Sequence, residues 1–265
     1  MQSLFSSPHA LATLQENGVA TLRLTEAKSL NIVDAQSIAD LGAALTVLAA
    51  ESRLRVLVLR GTGERAFIGG ADIHEMAHLT PQTAPAFISR LKDLCEALRS
   101  IGVPVIARIP GWCLGAGLEV AAACDFRLSS LDARYGMPEV HVGIPSVIHA
   151  ALLPRLIGNT RASWLLMTGD PIDARTALDW GLVHSLHEPE ALDQAVQALA
   201  AKLLRLGPAV LRQQKQLLAS WQELPLREAI DASVPEFAQS FSTGEPQRYM
   251  QAFIDRPRSA KLSSN

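Results

Sequence analysis

From His9 to Leu24 apolar and polar residues alternate on both sides of Asn17-Gly18. Alternation of period two predicts strands with one buried face, and Asn-Gly accepts the positive φ that a tight hairpin turn needs. Two antiparallel strands are therefore expected. Asp34 opens a run rich in alanine and leucine that continues to about Ala50, where a short carboxylate can cap the free amides of a helix start. Leu54 to Arg60 reads as a strand ending at Gly61. Val103 to Ile109 reads as a strand, Ala116 to Ala123 as a helix and Phe126 to Ser129 as a strand.

Strand, strand, helix is a ββα rhythm, and it recurs without any exact repeat at a fixed period, so the class is mixed α/β with a structural repetition only. From about Pro189 the pattern changes. Apolar residues fall at helical spacing through Ala191 to Leu206, Pro208 to Trp221 and Leu224 to Phe241, with breaks at Gly207-Pro208 and Pro225. The expected organisation is a core over residues 1–190 and a helical region over 191–265 without a flexible linker between them.

Composition narrows the function classes. The chain has 265 residues, 48% hydrophobic and 19% charged, which suits a globular protein with much buried surface, some of it at subunit contacts. A net charge of -2 with no dense basic run argues against nucleic acid as a partner. Three cysteines, Cys95, Cys113 and Cys124, have neither disulfide-framework nor zinc-ligand spacing, which fits a reducing cytoplasm. Met1 to Ala10 lacks the pattern of a secretory leader, and no apolar run reaches membrane-span length, so no membrane partner is expected.

Two glycine-flanked turns carry the candidate chemistry. The first is Phe67-Ile68-Gly69-Gly70-Ala71-Asp72-Ile73, after a strand and before a short helix-like stretch; the second is Gly111 through Glu119, again between a strand and a helix. In each, a backbone amide, that of Ala71 or Ala116, is expected to point out at a helix start. Two such amides converging on one oxygen form an oxyanion hole, which suits an enolate or tetrahedral oxyanion made from a carbonyl or thioester. The same glycines also suit plain tight turns. A phosphate cradle fits less well, since neither segment has the lysine and hydroxyl of a P-loop or a complete dinucleotide fingerprint.

Glu119 stands in the first turn of an otherwise apolar helix, where the helix dipole alone would favour a carboxylate. Glu139 follows Pro138 in a loop leaving a short strand, where a surface carboxylate is the plain alternative. Brought together by folding, two glutamates can divide acid and base roles if their environments separate their pKa values. His141 and His149 flank Ser146, yet nothing like a nucleophile elbow surrounds that serine, and a serine-histidine mechanism is discounted. His74, Phe87 and Trp112 are candidate pocket walls, with packing as the alternative for each.

Taken together, Ala66-Phe67-Ile68-Gly69-Gly70-Ala71-Asp72-Ile73-His74-Glu75-Met76, Gly111 through Glu119, Ala123-Cys124-Asp125 and Met137-Pro138-Glu139 strongly resemble the crotonase (enoyl-CoA hydratase/isomerase) family. The resemblance implies a spiral of ββα units closed by C-terminal helices that mediate homotrimers, often paired as dimers of trimers. It implies an acyl-CoA substrate, with no cofactor and no metal, and a thioester oxygen held by the amides of Ala71 and Ala116. Both catalytic glutamates of the hydratases are matched, by Glu119 and Glu139, which implies addition of water across a 2-enoyl-CoA. By the same resemblance Lys28, Leu30, Gly69, Gly70, Asp72, Ile73, Gly115 and Pro138 would line the coenzyme A and acyl path, and Arg256 would approach the nucleotide.

The chain departs from the family pattern after Glu139. Val142-Gly143-Ile144-Pro145-Ser146-Val147-Ile148-His149 replaces a glycine-rich stretch, and Ala116 stands where glycine is common. Bulk there would narrow the acyl pocket or reshape the water site. Isomerisation, hydratase-lyase chemistry, thioester hydrolysis and a non-catalytic CoA-binding role are the competing readings.

Overall fold

The computed structural model describes residues 1–25 and 29–255. It opens with β1 (Gln2–Ser6), β2 (Ala10–Leu14) and β3 (Val19–Leu24), the last two forming the expected hairpin in the register Leu14↔Ala20. Gly18 takes φ 89, and the Asn17 side chain accepts the amide of Val19 at 3.1 Å, so the turn works as the dipeptide suggests. β1 has no alternating pattern and pairs at the edge on β2 with a bulge. Helix α1 (Ala35–Ala50) starts at Asp34, in a capping box with Ser37: Ser37 N donates to Asp34 Oδ1 at 2.9 Å and Asp34 N to Ser37 Oγ at 2.8 Å. Its Ile38, Leu41, Leu45 and Leu48, three or four apart, form the buried stripe. Leu41 is almost fully buried, and truncating such a leucine to alanine costs about 2–5 kcal/mol.

The rhythm then sets in. β4 (Val56–Arg60) is followed by β5 (Ala66–Ile68), α2 (Ile73–Met76) and α3 (Ala84–Ser100); β6 (Val105–Ile109) by β7 (Trp112–Leu114) and α4 (Ala116–Ala123); β8 (Phe126–Ser130) by β9 (Arg134–Gly136). Successive strands of a unit do not pair with each other. The first joins a seven-stranded sheet, the second a four-stranded one, and the helix carries the chain back to begin again. After β9 come α5 (Leu153–Ile157), α6 (Asn159–Thr168), β10 (Ile172–Asp173), α7 (Ala174–Asp179), β11 (Ser185–His187) and α8 (Leu192–Leu204).

The large sheet has the order β1-β2-β3-β4-β6-β8-β11 and is parallel from β3 onward; the small one, β10-β9-β7-β5, is parallel except for β10. The core fills the space between the sheets and α1, α3 and α4. Every residue of α4 is buried, which explains why seven of its eight residues are apolar or glycine.

The chain divides into two compact units, Met1–Leu204 and Arg205–Asn265, so α8 belongs with the first. The described part of the second consists of α9 (Pro208–Glu223), α10 (Leu226–Ser240) and α11 (Glu245–Ile254). Glu245 joins its ends: the carboxylate accepts the amides of Ala209 at 3.1 Å and Val210 at 2.9 Å, capping the start of α9. Leu226, Ile230, Val234 and Phe237 form an exposed apolar stripe along α10. Among the described residues no helix is long and apolar enough to cross a membrane.

Candidate active site

Three neighbouring parallel strands of the small sheet, β5, β7 and β9, each release a candidate segment from their carboxyl ends. Ile68 leads into Gly69-Gly70-Ala71, Leu114 into Gly115-Ala116, and Gly136 into Pro138-Glu139. Hydrogen-bonded neighbours lie only about 5 Å apart, so sheet pairing alone brings these turns together across more than seventy residues of sequence. The carboxyl ends of parallel strands are also where α/β proteins place ligands.

The first turn is pinned to the segment before α1. Gly69 N donates to Leu30 O at 2.8 Å, Val33 N to Gly70 O at 3.0 Å, and Asp72 N to Val33 O at 2.8 Å. Gly70 takes φ 124, which side chains rarely adopt, and a Cβ on Gly69 would lie 2.7 Å from Leu30 O. One expectation needs correction. The Ala71 amide is not at a helix start, because α2 begins at Ile73 with Asp72 as its cap, the Asp72 carboxylate accepting His74 N at 2.9 Å. Ala71 is instead held by a bridge to Val33, which leaves its N–H directed away from that pairing.

Ala116 is the first residue of α4, as expected. Gly115 N donates to Gly136 O, and the amides of Leu118 and Glu119 return to Gly115 O, so the Ala116 amide stands free at the helix head. Among the described residues neither this amide nor that of Ala71 has an acceptor. The two turns touch: a Cβ on Gly70 would lie 3.6 Å from Leu114 O, and one on Gly117 would overlap the carbonyl of Ile68.

Glu119, 4% exposed, lies on α4 two residues after Gly117. Its Oε1 accepts the amide of Ala150 at 2.9 Å. Burial pushes its pKa up to about 8, the Ala150 hydrogen bond opposes the rise, and the like charge of Glu139 adds to it. Glu139 lies in a 3-10 turn, Pro138–Val142, rather than an open loop. Its Oε1 occupies the place where a Cβ on Gly115 would stand, which explains a glycine there at φ 50, and its Oε2 accepts from Ser146 Oγ at 2.9 Å. Burial raises its pKa too, against the hydrogen bonds from its own amide and from Ser146.

Of the other sequence candidates, Leu30 reaches the first turn through its carbonyl, Asp72 is a buried cap, and Ile73 is exposed beside it. Lys28 and Arg256 lie outside the described residues. His74 lines an open groove of about 730 Å³ with Asp34, Gln36, Asp72, Glu75 and Arg90. Phe87 is buried packing and Trp112 is partly exposed. His149 is buried, with Nε2 hydrogen-bonded to Glu96 at 2.8 Å. Ser146, discounted as a nucleophile, proves to be a partner of Glu139, a role that no local motif announces. Among the described residues no cluster of His, Cys, Asp and Glu is placed to hold a metal ion.

Two amides without an acceptor among the described residues and two carboxyls of raised pKa border these turns, groups of the kind that stabilise an oxyanion and exchange protons. Comparison with known proteins gives the family. The family model for enoyl-CoA hydratase/isomerase matches residues 14–261. The chain is 30% identical to crotonyl-CoA hydratase of Syntrophomonas wolfei over 250 residues, 94% of this chain and 96% of that protein. It is 30% identical to the short-chain-enoyl-CoA hydratase of Clostridium acetobutylicum over 243 residues, 91% and 93% of the two chains. The crystal structure of an enoyl-CoA hydratase from Mycobacterium smegmatis superposes with a TM-score of 0.90 at 28% identity, covering 95% of this chain and 98% of that one.

Proposed function

The chain belongs to the enoyl-CoA hydratase/isomerase family and is an enzyme of it, and on that premise we propose that it hydrates a 2-enoyl-CoA through Glu119 and Glu139. The observation that carries this reading is the Glu139 carboxyl lying against Gly115, the residue next to the Ala116 amide, with the buried carboxyl of Glu119 on the helix that starts there.

In this reading the thioester oxygen accepts hydrogen bonds from Ala71 and Ala116. A water between the glutamates gives a proton to the ionised one as its oxygen bonds to C3. The electron pair of the double bond moves toward the thioester, the enolate oxygen rests on the two amides, and the protonated glutamate delivers a proton to C2. One water is added in all, and no redox step occurs. Oxyanion donors act most on charge that appears only in the transition state. Leu30, Gly69, Gly70, Asp72, Ile73, Gly115 and Pro138 border the route for the thioester arm. The apolar stripe on α10 suits burial against further copies of the chain, in keeping with a trimer or a dimer of trimers in the cytoplasm.

The test is loss of 2-enoyl thioester absorbance with crotonyl-CoA and longer or branched acyl-CoAs, run beside Glu119→Gln and Glu139→Gln. A fall of about 10²-fold or more in kcat for each variant is expected of an acid–base pair. Turnover by isomerisation or thioester hydrolysis instead, or hydration that survives both substitutions, would refute the proposal.

A further inference from the structure

The segment Ser146 to Ala150 supports both carboxyls at once. At one end the Ser146 hydroxyl donates to Glu139 Oε2 at 2.9 Å; at the other the Ala150 amide donates to Glu119 Oε1 at 2.9 Å. The stretch from Ile144 to Ala150 is fastened at three points. Ile144 N donates to Glu139 O at 3.2 Å, Ala150 N also lies 3.0 Å from Val147 O, and His149 is tied to Glu96 on α3. Between the two supports Ile148 takes φ 41, a conformation that costs a β-branched residue about 1–3 kcal/mol and persists only where its surroundings impose it.

We propose that Ser146 is a positioning residue for the reaction, its hydroxyl holding Glu139 across the site with Oε1 on Gly115 and favouring the ionised form that accepts the proton of water. This rests on the hydratase reading above. The geometry leaves Glu139 few other ways to be held. Its Oε1 has the bare glycine on one side, and among the described residues Glu139 makes no ion pair.

The charged and titratable groups around it are otherwise engaged or repulsive. Glu119 on α4 carries like charge when ionised. His141, on the same 3-10 turn, has Nε2 2.6 Å from Thr168 O. Arg161, on the packed helix α6, donates to Trp180 O at 3.1 Å. The Glu96–His149 pair stands behind the Ala150 support. A hydroxyl donor therefore does for Glu139 what a cation would otherwise do, without adding a charge. The two supports also differ in kind: a backbone amide survives almost any substitution, whereas a hydroxyl is lost in one.

The experiment compares wild type with Ser146→Ala and Ser146→Thr. Removal of the hydroxyl should lower kcat about 10-fold or more with little change in KM. It should also move the acidic limb of the kcat/KM profile, which reports the carboxyl that must be ionised, up by about one pH unit. Threonine should restore both. A substrate-free readout runs in parallel: carbon-13 NMR titration of the glutamate carboxyls, with the Glu139 signal identified by its loss in Glu139→Gln. Its midpoint should rise by about one pH unit in Ser146→Ala. If Ser146→Ala does not fold, Ser146→Cys, a much weaker donor, should shift the midpoint in the same direction.

An unchanged midpoint overturns the proposal, whatever happens to activity, and so does a loss of rate that threonine does not restore. If wild type hydrates none of the enoyl-CoAs, the functional reading fails, while the titration still decides whether Ser146 governs Glu139.

Discussion

Replacing Glu119 by glutamine should make the protein more stable in alkali while removing its activity. In an unfolded chain this carboxyl titrates near 4.5, whereas burial in α4 pushes it up to about 8. Below 4.5 both states hold the proton, and the group does not affect folding. Between those values the unfolded chain releases it and the folded one retains it, so stability falls as pH rises, by about 1.4 kcal/mol per pH unit. Above 8 both states are ionised and the loss is complete. The interval from 4.5 to about 8 corresponds to about 5 kcal/mol.

Glutamine has no proton to lose, and its carbonyl oxygen can still accept the Ala150 amide. The stability difference between variant and wild type should therefore open above pH 5 and level off beyond pH 8 at about 3–5 kcal/mol. Urea unfolding at pH 5, 6, 7, 8 and 9, at one fixed protein concentration so that association does not enter, measures it directly. Parallel curves, with the same difference at every pH, would show that Glu119 titrates normally and would refute the argument from burial.

Other outcomes follow from single contacts. Gly115→Ala places a Cβ on Glu139 Oε1 at a backbone φ of 50, so kcat should fall at least about 10²-fold while stability drops about 1–3 kcal/mol, as kinetics and thermal unfolding would show. Gly117→Ala sets a Cβ against the rigid carbonyl of Ile68 and should destabilise by about 3 kcal/mol or more in denaturant unfolding. Ala116→Pro deletes one oxyanion donor at a first helical position, which tolerates proline, and should cost about 10²–10³ in kcat with near-normal circular dichroism. His149 behaves in the opposite sense to Glu119. Burial lowers its pKa below 6.5 against the pull of Glu96, so the stability due to the neutral ring is full above 6.5 and lost as pH falls through the folded value; His149→Gln should flatten the acid side of the stability curve.

What could be read directly from the sequence was local. The Asn17-Gly18 hairpin, the Asp34 cap and α4 all depend on residues within a few positions of one another, and the structure has them where the pattern places them. Apart from the short strand before Glu139, the small sheet is hidden for the opposite reason. β5, β7 and β9 have three residues each, too short to show a period, and they are held by partners far along the chain. β1, at the edge, has only Leu4 and Phe5, adjacent in sequence, packed partly against the core, so no alternation marks it. Helix α3 was not assigned at all, although its Phe87, Leu91, Leu94, Cys95 and Leu98 stripe is plain once its start at Ala84 is known.

The candidate site divides in the same way. Glu119 was conspicuous as a charge within an apolar helix, and Glu139 entered as the second of a matched pair. The setting of Ala71 was misread because a bridge to Val33, not a helix, directs its amide. Ser146 carries no signal of its own; only the fold reveals that it faces Glu139.

Because the proposed donors at Ala71 and Ala116 are main-chain groups, almost no side-chain replacement can erase them; only proline removes an N–H. The acid–base equipment is made of side chains, each one point mutation from loss. In a drifting lineage the two kinds of part therefore decay at unequal rates. On the hydratase reading proposed above, the capacity to hold a thioester as its enolate outlasts the capacity to hydrate it, and a descendant that has forgotten the reaction still keeps the cradle in which another can begin.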